Sequence, residues 1–380
     1  MLKQNKQSLR ALSILLGVTF GAGIFGVPYT IAKSGWILGI IYFVVLGIII
    51  LLIHLMYGEV TLRSKEKHRL PGFVSKFIGP KYGNFVKFAS TIGLWGALIA
   101  YVLIGGKFLY FISKPFLGGS EFLYQIVFYA ISAFIVASGI KILSKIELIL
   151  TSILVFILIF ISAISLNHID LSIIPTETTD FFLPYGVIIF ALFGASAIPE
   201  MRDILSGQLH KMKSLIIYGT LIVILITIFF VFASLGISGV NVSEDSILSS
   251  VSVLGPWILY IGAIVGFLAT FTSFLVIGVY LKDQFTLDFK KKKLSAFFWS
   301  IGIPFIILMI INPGFVEILG FTGTVFGAID SIFLILVWQK AKTKGDRNPE
   351  YELKMKKWVS FLIMAFFLAG ASYEIFSLIS

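Results

Sequence analysis

About eleven apolar runs of roughly 20 residues, separated by short polar gaps, constrain this chain more than any motif does. They cover 9–32, 35–60, 84–112, 122–140, 145–166, 184–206, 214–236, 256–281, 294–311, 315–338 and 357–379. A run of that length crosses the ~30 Å hydrocarbon core of a bilayer as a helix. The chain of 380 residues is 58% hydrophobic and only 13% charged, so little is left for a soluble domain. The expected fold class is an all-α polytopic membrane protein, a single membrane domain over 1–380.

The net charge of +11 is explained by where the charges sit, not by a nucleic-acid partner. Lys3, Lys6 and Arg10 begin the chain; Arg63, Lys65, Lys67, Arg69, Lys76 and Lys81 follow the second run; Lys211 and Lys213, Lys282 with Lys290 to Lys293, and Lys340 through Lys357 mark later gaps on the same side. The intervening gaps carry Glu121, then Asp170, Glu177 and Asp180, then Glu244 and Asp245. By the positive-inside rule the N-terminus is expected in the cytoplasm of a cell-membrane protein, and an odd number of spans puts the C-terminus outside. The first run lacks a small-residue cleavage site and reads as a retained helix. The segment Pro71 to Phe77 reads as a short interfacial helix with Phe73 and Phe77 on one face. There is no cysteine and the four His are scattered, so thiolate chemistry and a His-built metal site are excluded, and no nucleophile–base pair points to an enzyme.

Two spans are interrupted. The first contains Gly21-Ala22-Gly23-Ile24-Phe25-Gly26-Val27-Pro28, and the sixth contains Phe193-Gly194-Ala195-Ser196-Ala197-Ile198-Pro199. Backbone released from helical bonding costs several kcal/mol against lipid, so it must face protein or a water-filled cavity. Each Pro is expected in the first turn of the second half-helix, where its missing N–H has no partner to lose. Broken spans at matching places of two halves point to a transporter's binding site. The halves are 9–166 (helices 1–5) and 184–338 (helices 6–10), of opposite orientation, with 357–379 as an eleventh helix outside the repeat. Half-helix N-termini present free N–H groups and C-termini free C=O groups, a combination suited to a zwitterion such as an α-amino acid.

These two motifs resemble the amino acid/auxin permease and the hydroxy/aromatic amino acid permease families of the amino acid–polyamine–organocation superfamily. The helix-1 motif is similar to their GAG-hydrophobic-…-P pattern, and Phe193-Gly194-…-Ile198-Pro199 to the aromatic permeases' FGFHG-x-x-P, with Ser196 standing where those carry His. The resemblance implies a LeuT-like 5+5 inverted repeat and ion-coupled secondary transport of an amino acid by alternating access. The implied substrate site is the backbone of Gly21, Ala22, Gly23, Ile24 and Gly26, with Gly194 and Ser196 from helix 6. It also implies a helix-3 Tyr, here Tyr101, on the substrate carboxylate. Phe190 and Phe193, at i and i+3, would form the apolar wall.

Ala269-Thr270-Phe271-Thr272-Ser273 resembles the sodium site of that fold, implying ligands from Ala269, Thr272 and Ser273 with the carbonyls of Gly17 and Phe20. The rival coupling ion is H⁺. Helix 5 has no Lys in its interior, and its Glu147 lies near one end, which favours Na⁺; Asp330, a carboxylate inside a span, is the candidate proton carrier. Thr322, Thr324 and Ser331 are its alternative structural partners. Lys107 can snorkel, Glu200 suits a half-helix N-terminus, Arg202 and Asp203 suit gate ion pairs, and His54 receives no role. No cofactor and no obligate protein partner are implied, only the small-molecule substrate and the bilayer. The rival functions are an amino acid sensor of the same fold and a channel.

Overall fold

The first helix stops at Thr19 because the next three residues, Phe20-Gly21-Ala22, leave the helical ladder, and a second helix starts at Gly23. The computed structural model describes residues 2–138, 140–311 and 313–379, with side chains described at all of these except 2–5, 140–147 and 378–379. Among the described residues all regular structure is helical. The half-helices α1 (Leu2–Thr19) and α2 (Gly23–Ser34) meet at 45° and count together as one span. The next elements are α3 (Trp36–Leu62), the short α4 (Leu70–Phe77), α5 (Pro80–Leu117), α6 (Glu121–Ser138) and α7 (Ile140–Ser165). The second broken span is α8 (Leu183–Leu192) with α9 (Ala197–Ile204), followed by α10 (Met212–Ser238), the single turn α11 (Val251–Leu254) and α12 (Trp257–Leu287). The ninth span joins α13 (Lys293–Phe297) to α14 (Ile303–Ile311), and the tenth joins α15 (Phe315–Phe321) to α16 (Gly327–Lys344). The last is α17 (Lys357–Ile379). Ten helices plus the bent pair are long and apolar enough to cross a membrane, the eleven spans expected from the sequence.

Side-chain size governs who packs with whom. α5 and α12, the most deeply buried long helices, cross in the centre, where Gly105 and Gly266 leave room for Phe128 and Phe108. α3, α10 and α17 instead turn large apolar side chains outward, as lipid-facing helices do.

One expectation needs correction. Pro28 lies inside α2, well past its first turn, whereas Pro199 is the third residue of α9 and fits the rule. In α4, Phe73 and Phe77 share one face as expected, and that face is buried on protein, stacked and packed against α5 and α16. Helix 10 contains a feature the sequence did not suggest: residues Thr322–Phe326 form a π turn between α15 and α16, as Phe298–Gly302 does in the ninth span. The π turn of helix 10 lies against α8. A Cβ on Gly323 would lie 2.0 Å from the Gly186 carbonyl oxygen, so α8 and helix 10 touch backbone to backbone. π turns of this kind often mark functional sites.

Candidate functional site

The glycines of the two breaks serve packing as much as access. A Cβ on Gly23 would sit 2.6 Å from the Cα of Ala191, so α2 and α8 pack at backbone distance. On Gly194 it would meet Thr19 Oγ1 at 2.5 Å, and on Gly26 it would meet Leu319 at 2.9 Å. Gly21 faces the candidate ion site and α5: its Cβ would meet Ser273 Oγ at 2.7 Å and the Tyr101 ring at 3.0 Å. At the helix-6 break, Phe193 has φ −82° and ψ 86°, an inverse γ-turn in which the Gly194 N–H reaches the Leu192 carbonyl at 3.0 Å. Helical bonding resumes with the Ala197 N–H to Gly194 and the Ile198 N–H to Ala195.

A cavity of about 710 Å³, open space at its mouth included, runs alongside this break. Phe190, Phe193, Ala195 and Ser196 border it from helix 6, Tyr101 and Ala97 from α5, and Thr322, Phe326 and Asp330 from helix 10. Tyr101 is buried and meets Phe190 edge to face at 6.1 Å between ring centroids. The cavity is therefore aromatic on several sides. Gly21 through Gly26 do not line it, nor does Gly194. Ala22, Gly23, Ile24 and Gly26 are buried in the α2–α8 contact region instead. Of the expected substrate residues, the structure brings Tyr101, Phe190, Phe193 and Ser196 to one cavity and sets Gly21 directly behind Tyr101.

The expected ion ligands converge more closely. Ser273 Oγ donates to the Gly17 carbonyl at 2.7 Å and lies 3.2 Å from that of Val18; Thr272 Oγ1 lies 3.4 Å from Gly17 O and 3.1 Å from Ala269 O. Five hard oxygens from α1 and α12 thus share one buried spot, a donor set that suits an alkali cation. The Val18 carbonyl, not among the expected ligands, adjoins Ser273, while the Phe20 carbonyl is hydrogen-bonded to neither hydroxyl. Groups of three or more His, Asp or Glu able to hold a metal are absent among the described residues. Glu147, considered with helix 5, lies outside the residues with described side chains.

Asp330 accepts a hydrogen bond from Ser90, not from Thr322, Thr324 or Ser331; the hydroxyls of Thr324 and Ser331 have no hydrogen-bond partner. At a rise of about 1.5 Å per residue, Ser90 lies roughly 16 Å along α5 from Tyr101. Asp330 is therefore displaced from the breaks toward the face rich in Lys and Arg.

That basic face is closed beneath the cavity. Arg69, only 2% exposed, donates through one nitrogen to Glu200 and, at 3.0 Å, to Asp283. Burial disfavours the Arg69 cation, but Glu200 and Asp283 outweigh it and raise its pKa. Tyr57 and Tyr280 join hydroxyls at 3.4 Å beside it, Lys67 pairs with Asp203, and Arg202 donates to the Ser64 carbonyl. Glu200, expected only to complement a helix dipole, is thus the centre of the closure, and Arg69 was visible in the sequence only as one of a basic group. On the opposite face, Lys107 does not snorkel but pairs with Asp245 at 2.7 Å. Burial would raise the Asp245 carboxyl, yet Lys107 and the Leu248 N–H hold it below its usual value. The adjacent Ser246 donates to the Phe25 carbonyl of α2 at 2.5 Å. These contacts tie neighbouring elements together on each side of the helix-6 break. His54, which the sequence left without a role, is fully buried and touches the helix-6 break.

This architecture recurs in solved transporters. The structure of MhsT in complex with L-phenylalanine is similar with TM-score 0.69 at 15% identity, over 96% of this chain and 98% of that one. Mhp1, a nucleobase-cation-symport-1 family transporter solved closed with bromovinylhydantoin bound, gives TM-score 0.67 at 12% identity, over 86% and 77%. Both likenesses show the LeuT-like fold. No curated protein matches the chain by sequence. The tryptophan/tyrosine permease family model, however, matches residues 4–373, and the chain belongs to that family of membrane transport proteins.

Proposed function

We propose that this chain is a secondary transporter of the cell membrane that carries an aromatic amino acid, with Na⁺ as the coupling ion and the N-terminus in the cytoplasm. The observation that carries the reading is the aromatic-lined cavity at the helix-6 break, backed by Tyr101, Gly21 and Ser273 in contact. An α-carboxylate would be held by the Tyr101 hydroxyl and free N–H groups of the breaks, with the ring between Phe190, Phe193 and Phe326. The family to which the chain belongs and L-phenylalanine in MhsT support an aromatic substrate, although Ser196 replaces the His of related motifs. The sequence halves 9–166 and 184–338 would be the two repeats.

Gly17, Val18, Ala269, Thr272 and Ser273 would hold the cation, which supplies positive charge between α1 and α12. Because Ser273 also touches Gly21 and Tyr101, cation and substrate share a neighbour, so each would favour binding of the other. Asp330, on the basic side, would line the exit path and is not needed for this coupling. The test is equilibrium binding of labelled L-tryptophan and L-tyrosine to the purified protein with and without Na⁺. The reading expects Na⁺ to tighten binding in the wild type and to have no effect in Thr272→Ala/Ser273→Ala. Binding that ignores Na⁺ but strengthens at low pH would overturn the choice of ion, and absence of binding of any amino acid would overturn the function.

A further inference from the structure

His54 lies in α3, fully buried, with its two ring nitrogens directed at two other helices. Nε2 is 3.0 Å from the Gly194 N–H at the helix-6 break, and Nδ1 is 3.1 Å from Thr220 Oγ1 of α10. An N–H cannot be donated to a protonated nitrogen, so Nε2 carries the lone pair and the ring proton sits on Nδ1, where Thr220 accepts it. The Gly194 N–H is the donor freed when α8 ends, and the bond to Leu192 that it makes within the inverse γ-turn is bent. The imidazole supplies a second acceptor. It also lies 6.4 Å, ring to ring, from Phe193, the residue whose backbone forms the turn and whose side chain borders the cavity.

We propose that His54 is a positioning residue for the transport site: it clamps the unwound segment Phe193-Gly194 and so aims the Phe193 ring and the remaining free backbone groups of the break at the substrate. Two observations make this more than a buried polar contact. First, the Gly194 amide is the backbone group at the break that points away from the cavity, toward α1 and α3, where a Cβ would strike Thr19 and Leu15. It is therefore tied by protein and withheld from the ligand, which leaves the Ala195 and Ser196 edge to read it. Second, His54 ties the break at Gly194 to both α3 and α10 through its two ring nitrogens, so the turn's geometry is set from α3 and α10 as well as from within helix 6.

The inference rests on the reading of the helix-6 break as the substrate site, and the test separates the two. Amide hydrogen exchange across 190–198 and L-tryptophan affinity are measured in the wild type, His54→Leu, His54→Gln and Thr220→Val. A glutamine can present its carbonyl oxygen near the Nε2 position, whereas leucine presents no acceptor. The expected result is exchange at least tenfold faster over 190–198 in His54→Leu, with affinity at least tenfold weaker. Substantial recovery of both is expected in His54→Gln, and an intermediate loss in Thr220→Val, where the ring loses its orienting partner. Unfolding temperature identifies any variant that has lost the fold. A folded His54→Leu with wild-type exchange and affinity overturns the inference. Changed exchange with no tryptophan binding even in the wild type upholds the clamp and sinks the substrate reading.

Discussion

Removing Arg69 tests the closure of the basic face. Arg69 and Glu200 are 2% and 1% exposed, and the second carboxylate oxygen of Glu200 has no hydrogen-bond partner, so among the described residues Arg69 is the cation in direct contact with a fully buried carboxylate. Asp283, a third exposed, can turn to water when the guanidinium is gone; Glu200 cannot unless the face opens. Deleting one partner of a buried pair costs about 3–5 kcal/mol in the state that keeps the other buried. That corresponds to a shift of roughly 10²- to 4 × 10³-fold in the closed-to-open equilibrium. The assay exploits the absence of native cysteine. A single cysteine replacing Leu334, a cavity residue 1% exposed, is labelled with a water-soluble thiol reagent. Arg69→Met should raise the labelling rate by about that factor if the open form is otherwise scarce, up to the limit of full exposure. Arg69→Met/Glu200→Gln, which removes the stranded charge, should recover much of the protection. Equal labelling rates in folded wild type and Arg69→Met would refute the argument that this pair holds the face closed.

Three further outcomes follow from the same geometry. Gly23→Ala places a methyl against the Ala191 backbone and should cost about 1–3 kcal/mol in thermal unfolding by overpacking, with transport lost because α2 and α8 separate; an unchanged melting temperature with normal uptake would contradict that contact. Asp330→Asn keeps an acceptor for Ser90 and should leave Na⁺-stimulated tryptophan binding within about twofold of wild type, an order-of-magnitude expectation for a neutral hydrogen-bond swap; loss of uptake driven by an H⁺ gradient would instead make Asp330 the coupling group. His68, outside the spans, donates toward Asp288 at 3.2 Å and Glu66 at 3.3 Å, and the Asp288 bond raises its pKa despite partial burial. A raised folded pKa stabilises below the unfolded value near 6.5 and is lost as pH rises through the folded pKa. The melting temperature of wild type minus that of His68→Gln should therefore fall as pH rises above 6.5, and a flat difference would dismiss the interaction.

Span number and the two breaks were legible because hydropathy and Gly/Pro placement are local signals, read directly along the chain. The Thr272-Ser273 pair was legible for the same reason, being adjacent on one helix, whereas the neighbouring Val18 carbonyl was not, because its approach to Ser273 depends on how α1 packs against α12. What escaped was long-range. Nothing local marks His54 as the partner of Gly194, which lies 140 residues away, or Arg69 as the partner of Glu200, 131 residues away. Pro28 misled because a proline inside a helix and one at its start look alike in sequence, and here the preceding glycines had already ended α1. The π turn at Thr322–Phe326 sits where Gly323 meets the backbone of Gly186 on a different span, a contact no local pattern announces.

The central claim is that the helix-6 cavity carries an aromatic amino acid across the membrane by use of the cation site at Thr272 and Ser273. It is tested most directly by accumulation of labelled L-tryptophan in proteoliposomes under an imposed inward Na⁺ gradient, an inward H⁺ gradient, or neither. The account predicts concentrative uptake with Na⁺ alone, abolished in Thr272→Ala/Ser273→Ala and saturable in tryptophan. Uptake that follows only the H⁺ gradient, or none in any condition from protein that still binds tryptophan, would contradict it.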